Sequence, residues 1–275
     1  MSAVRILASA AALGLLAAAC TRAATGAADL GSTPATVALR PPLTPTDTRM
    51  ERFVDSVLAG LTLEEKLGQL TQNVLSAAVT GPQLPEASTA DIRAGRIGSF
   101  LGTSGAEVTR NLQRVAMEQS RAKIPLLFAY DVIHGFRTIF PTPLAEAASW
   151  DPAAVERAAR VAAAEGAANG LHWTFAPMVD IARDPRWGRI IEGSGEDPYL
   201  GSVMAVARVR GFQGADSTTG ATHNFRDTLT LIATAKHFVA YGAAEGGRDY
   251  NVADVPPRTL REIYLPPFHA AANAG

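Results

Sequence analysis

The chain contains a single cysteine, Cys20, in 275 residues. One thiol cannot close a disulfide within the chain, so packing must hold the mature fold together. Net charge is also scarce: 25 Lys and Arg against 26 Asp and Glu leave a formal −1. That balance gives no electrostatic footprint for nucleic acid or an anionic membrane surface, and it suits a neutral partner. The sequence has no Gly-x-Ser-x-Gly elbow, which disfavours a serine hydrolase of that type. No glycine-rich phosphate loop follows the first expected strand. Gly102 to Gly105 is too short and carries no lysine, so a nucleotide-binding doubly wound sheet is disfavoured. Asp131 and His134 lie close in sequence, but His223 and His269 have no ligand neighbour at a recognised metal spacing, so a metal site is not expected. No internal repeat is evident.

The chain does have apolar substance: 47% hydrophobic residues, enough for a sizeable core in one large domain or two small ones. Its start reads as a secretory leader. Arg5 is followed by the apolar run Ile6 to Ala19 and by Ala17-Ala18-Ala19 before Cys20, and the run is shorter than the roughly 20 apolar residues that span a bilayer. Cys20 resembles the lipid-attachment cysteine of bacterial lipoproteins, with Ala17 where leucine is commoner. The alternative is ordinary cleavage nearby, with Cys20 discarded or idle. The expected destination is the periplasm, the outer membrane through a lipid on Cys20, or the medium. Residues 21–46, rich in Ala, Thr and Pro, read as a flexible tether, and 47–275 as the folded part.

Apolar residues recur at helical spacing through Met50, Phe53, Val54, Val57 and Leu58, and Thr62 with Glu65 forms a capping box for a second helix leading to Leu67 and Leu70. Strands are expected at Ile97–Leu101, Pro125–Tyr130, Trp173–Val179 and Leu231–Phe238. Helices are expected at Glu107–Arg121, from the N-cap Asp151 with Pro152 to a stop at Gly170, at Pro198–Arg210, and at Arg258–Ala272 with an interruption at Pro266-Pro267. Four apolar, non-alternating strands, each followed by a helix, predict a parallel α/β sheet buried on both faces. The loops from Tyr130 to Asp151 and from Asp180 to Pro198 are enlarged.

In a parallel barrel, functional groups gather where the strands end. Asp131 follows one strand, Asp180 and an arginine-rich loop follow the next, and Lys236-His237 ends the last. The stretch Thr174 to Pro198 is the most informative: an apolar strand runs into Asp180, then Arg183, Arg186 and Arg189 around a Trp187 read as exposed, then Glu192, Glu196 and Asp197. A surface loop with solvated ion pairs is the plain alternative. Charged groups from three strands on one rim favour a binding site. Carboxylate, lysine, arginine and an imidazole N–H suit the hydroxyls of a sugar. Trp187 or Tyr241 offers an apolar platform.

Four stretches resemble family 3 of the glycoside hydrolases, the bacterial and plant β-glucosidase group: LTLEEKLGQL (Leu61 to Leu70), YDVIHGFRTIFPTPL (Tyr130 to Leu144), APMVDIARDPRWGRIIEGSGEDP (Ala176 to Pro198) and AKHFVAYGAAEGGRDYN (Ala235 to Asn251). The resemblance implies roughly the first half of a (β/α)8 TIM-type barrel and a retaining hydrolase of β-linked glucosides or oligosaccharides that needs no cofactor. It implies substrate-binding roles for Asp131, Arg189, Lys236 and His237. His134, Arg186, Trp187, Glu192 and Glu196 look like loop scaffold.

The resemblance also implies a nucleophilic aspartate in a later Ser-Asp segment and a separate acid/base. Both are expected beyond Gly275, so no catalytic residue is assigned here, and a fragment of these residues alone is expected to be inactive. The N-acetylglucosaminidase branch, which uses a histidine after Lys-His-Phe, is disfavoured by Val239-Ala-Tyr-Gly242. The alternatives are a non-catalytic sugar-binding module, which a stop after codon 275 would favour over a continuing frame with a Ser-Asp segment, and β-xylosidase specificity within the same family.

Overall fold

The computed structural model describes residues 48–74, 86–214, 223–224 and 226–275; the expected leader, Cys20 and the tether lie outside the described residues. Two helices come first, α1 (Thr48–Gly60) and α2 (Leu63–Gln69). Glu65 N–H donates to Thr62 Oγ1 at 3.2 Å and Thr62 N–H donates to the Glu65 carboxylate at 2.9 Å, the reciprocal cap read from the sequence. The helices form as expected, but their apolar residues do not enter the core. Met50, Phe53, Val54, Leu58, Leu67 and Leu70 are exposed, whereas α2 buries Glu65 and Gly68. A Cβ on Gly68 would stand 1.9 Å from the Gly95 carbonyl oxygen, so only glycine lets the helix come this close to the neighbouring turn.

Strands β1 (Gln72–Val74), β2 (Ser99–Leu101), β3 (Leu127–Tyr130) and β4 (Trp173–Thr174) pair in that order, all parallel. Successive strands are neighbours throughout, as staves of a barrel are, and the order shows none of the reversal that marks a doubly wound sheet. A fifth stave lies beside β4. Thr174 N–H donates to Ile232 O at 2.9 Å, Thr234 N–H to Ala176 O at 2.8 Å, and Val179 N–H to Lys236 O at 2.8 Å. The expected strands 173–179 and 231–238 are therefore an interrupted ladder with bridges at Trp173–Ile232 and Met178–Lys236. Pro177 sits inside it and has no N–H to give. β1 is an addition to the strands expected from sequence.

Between the strands run α3 (Glu86–Arg93), α4 (Ala106–Arg114), α5 (Pro143–Ala148), α6 (Pro152–Ala168) and α7 (Pro198–Gln213). α4 passes into a π turn, Val115–Gln119, so the single helix expected to Arg121 changes pitch and stops two residues early. Asp151 caps α6 by accepting from Ala154 N–H at 2.9 Å, and Gly170, at φ +86°, follows its end. A Cβ on Gly170 would fall 2.0 Å from Thr109 Oγ1, so both conformation and contact require glycine. The last stretch divides as its prolines predict into α8 (Pro257–Thr259), a π turn (Leu260–Tyr264) and α9 (Pro266–Ala274).

Helices close over the sheet through one main core. Phe100 and Phe128, paired in register on β2 and β3, stack with ring centroids 6.0 Å apart. Leu112 of α4, Ala163 of α6, Phe212 of α7 and Leu231 pack with them. A fully buried phenylalanine of this kind contributes about 1.5–3 kcal/mol through burial, and the cluster joins β2 and β3 to Leu231 of the fifth stave.

Candidate active site

Three neighbouring staves end in charge. Asp131 follows β3 directly, Asp180 ends the extension of β4, and Lys236 and His237 end the fifth stave. Because the strands are parallel, all of these ends lie at one edge of the sheet, and the loop after Asp180 brings Arg189 back over it.

The contacts form two adjoining pairs. Lys236 Nζ donates to Asp131 Oδ2. Arg189 Nη1 lies 3.4 Å from His237 Nε2, and Glu192, which holds Arg189, also feels the charge of Lys236, so the two pairs lie near one another. The rim remains open at Asp131, whose side chain is 43% exposed. Arg189 is held from behind by Glu192, with Nε to Oε1 at 2.6 Å and Nη2 to Oε2 at 2.5 Å. This bidentate clamp raises the already high guanidinium pKa and holds the Glu192 carboxyl below its ordinary value, against the opposing effect of burial. Arg189 also lies over the Tyr241 ring, 5.4 Å from its centroid.

A guanidinium only donates, so His237 Nε2 is the acceptor in its contact with Arg189. The network therefore assigns the ring proton to Nδ1, which donates to Asp180 Oδ2 at 2.9 Å. The sequence reading offered an imidazole N–H to sugar hydroxyls; in the structure that N–H is occupied by Asp180, and the outward nitrogen is an acceptor.

Trp187, read as exposed, is 1% exposed. Its Nε1–H donates to Asp249 Oδ1 at 3.0 Å, and Tyr241 O–H donates to the same oxygen. Trp187 meets Tyr241 edge to face at 5.1 Å, and Tyr241 meets His237 at 4.9 Å. Trp187 is thus a floor beneath the site rather than a platform within it. Burial, helped by the bond to Asp249, pushes the Tyr241 hydroxyl up to about 12, while the bonds from Tyr241 and Trp187 hold the Asp249 carboxyl below its ordinary range.

Sequence reasoning named the four rim residues but missed the partners that fix them: Asp180 for His237, Glu192 for Arg189, and Asp249 for the aromatic floor. Asp180 carried a signal in its place at a strand end and Glu192 in the acidic cluster that follows the loop arginines, whereas Asp249 carried none. Among the described residues no group of three or more His, Cys, Asp or Glu is arranged to hold a metal ion.

Residues 62–275 match the glycosyl hydrolase family 3 N-terminal domain. A periplasmic β-glucosidase of Salmonella typhimurium is 42% identical over 234 residues, which are 85% of this chain and 29% of that protein. A β-xylosidase of Formosa agariphila is 32% identical over 82% of this chain and 26% of its own length. The crystal structure of a Listeria innocua β-glucosidase in complex with glucose superposes with a TM-score of 0.72 at 37% identity, covering 82% of this chain and 32% of that one. The chain spans about three tenths of the length of these relatives. With its staves in barrel order and a match across all the described strands, the chain belongs to family 3 of the glycosyl hydrolases, within their N-terminal domain.

Proposed function

We propose that this chain forms the sugar-holding side of the active site of an exported β-glucosidase, one that hydrolyses β-linked glucosides or oligosaccharides with retention of configuration. The observation that carries this reading is the meeting of Asp131 and Lys236 with Arg189 and His237 on one open rim. Asp131 accepts hydrogen bonds from ring hydroxyls, Lys236 and Arg189 donate, and His237 Nε2 accepts. Each bond to a charged group contributes about 1.5–3 kcal/mol. No charged substrate is needed to satisfy the patch, because its own charges already pair.

Retention requires a nucleophilic carboxylate and a separate acid/base about 5–5.5 Å apart. Every carboxylate on this rim already faces a fixed partner: Asp131 faces Lys236, Asp180 faces His237 and Glu192 faces Arg189. They are built to hold rather than to attack. This reading assigns the two reacting carboxyls to the part of the relatives' length that the chain does not span. The 275-residue chain is then expected to bind glucose and to release no aglycone from an aryl β-glucoside beyond an Asp131→Ala control. Hydrolysis above that control contradicts the assignment. β-Xylosidase specificity is the second reading, favoured by the Formosa relative; xylose lacks the exocyclic hydroxymethyl group, so tighter binding of xylose than glucose selects it.

Export is part of the proposal, supported by the leader-like residues 1–20 and by the periplasmic relative, with lipid attachment at Cys20. Palmitate incorporated in cells by the chain and lost in Cys20→Ser is the expected result; an unlabelled wild-type chain removes the anchor.

A further inference from the structure

Asp180 is given no contact with the sugar above, and it is the most buried acid of the site. It is 2% exposed. Its Oδ2 accepts twice, from the His237 backbone N–H at 2.8 Å and from His237 Nδ1 at 2.9 Å, and its Oδ1 has no hydrogen-bond partner among the described residues. A buried carboxylate needs its charge met. Acids that serve general stability do this through an arginine or several unrelated N–H groups, as Glu146 and Glu65 do here. Both donors to Asp180 instead belong to one residue.

We propose that Asp180 is a positioning residue dedicated to His237: it fixes the imidazole so that Nδ1 carries the proton and Nε2 faces the sugar as a hydrogen-bond acceptor. The sugar half of this statement rests on the proposed function, whereas the coupling of the two residues stands on geometry. Two donors converging on one oxygen lock the ring against its own main chain. Tyr241, edge to face at 4.9 Å, and Arg189, at 3.4 Å from Nε2, hold its other sides. Arg189 is itself fixed by Glu192, so donors and acceptors alternate along Asp180, His237, Arg189 and Glu192 without a mismatch. A ring turned over would present a carbon to Asp180 and a carbon to Arg189 and would lose both contacts. Nε2 has one lone pair, so a sugar hydroxyl that meets it must be a donor and takes the place of the 3.4 Å Arg189 contact.

The test uses the whole 275-residue chain with 15N-labelled histidine, the His237 signals being identified by their loss in His237→Gln. The expected spectrum shows a protonated Nδ1 and an unprotonated Nε2. Asp180→Asn keeps this tautomer, because the His237 backbone N–H draws the amide oxygen, not its NH2, into the Oδ2 position. Asp180→Leu loses it and weakens glucose binding about tenfold or more, as loss of a charge-linked hydrogen bond does. That loss disappears in a His237→Gln background, because the two residues act as one. The proposal is overturned by a protonated Nε2 in the wild type, by an unchanged tautomer in Asp180→Leu, or by an equal loss in the His237→Gln background. If Asp180→Leu does not fold, Asp180→Asn decides: a retained tautomer supports the coupling and a switched one refutes it. A chain with the stated tautomers that binds no glucose sinks the sugar-holding reading alone.

Discussion

Arg208 and Glu146 illustrate what single residues cost in this fold. Arg208 is buried and Glu146 half-buried, and the two line one small cavity with Val132, Ile133 and His134. Arg208 Nη2 donates to Glu146 at 2.6 Å, and Nη1 makes no hydrogen bond among the described residues. Burial pushes the Glu146 carboxyl up and the Arg208 guanidinium down, and their mutual attraction opposes both shifts without overcoming either. Removing one partner strands the other, so Glu146→Gln is expected to cost about 3–5 kcal/mol. Replacing both with leucine is expected to cost less than either single change in urea unfolding; a double variant as unstable as the sum of its singles contradicts this. None of it was legible in sequence, because the pair is formed by residues 62 apart. The same distance in sequence hid Trp187. A tryptophan among arginines reads as solvent-facing, and its acceptor, Asp249, lies 62 residues on.

At the scale of the element, what could be read was what is local. Thr62 and Glu65, Asp151 and Pro152, and the stop at Gly170 are settled within a turn of their own chain, and the structure shows each where it was expected. β1 was missed because Gln72–Val74 has no apolar run; only its pairing with β2 makes it a strand. α3 was missed because EASTADIR has little apolar period. One local device also reaches across the chain. Glu65, inside its capping box, accepts from Arg121 Nε at 2.9 Å and so ties α2 to the turn after α4. That bond, with the cap, lowers the Glu65 pKa from 4.5 to about 2. A depressed carboxyl stabilises the fold above its unfolded pKa, and the contribution fades as pH falls through the folded value. Thermal stability is therefore expected to drop between pH 4.5 and about 2 more steeply in the wild type than in Glu65→Gln. Parallel pH profiles for the two chains would remove Glu65 from the account.

For the whole molecule, the parallel sheet was legible from apolar strands alternating with helices, its barrel order only through the family resemblance, and the rim from the charged residues at the strand ends. What the apolar residues of α1 and α2 face was not legible, because amphipathic spacing marks an apolar side without naming what covers it. Met50, Phe53, Leu67 and Leu70 stand exposed on those helices, and exposed apolar side chains that gather in a large patch favour association. The 28.8 kDa chain is expected to elute as larger species and to brighten a hydrophobic dye; a monodisperse monomer that leaves the dye dark contradicts this. The rim is the more consequential feature, since the functional reading depends on four side chains holding one hexose. The most direct measurement is a glucose titration of the chain followed at the His237 ring nitrogens and the Lys236 Nζ. Both signals are expected to move together to one saturation point, and both to stay still in Asp131→Ala. Signals that saturate at different concentrations, or that move unchanged without Asp131, would show that the four residues do not share a sugar.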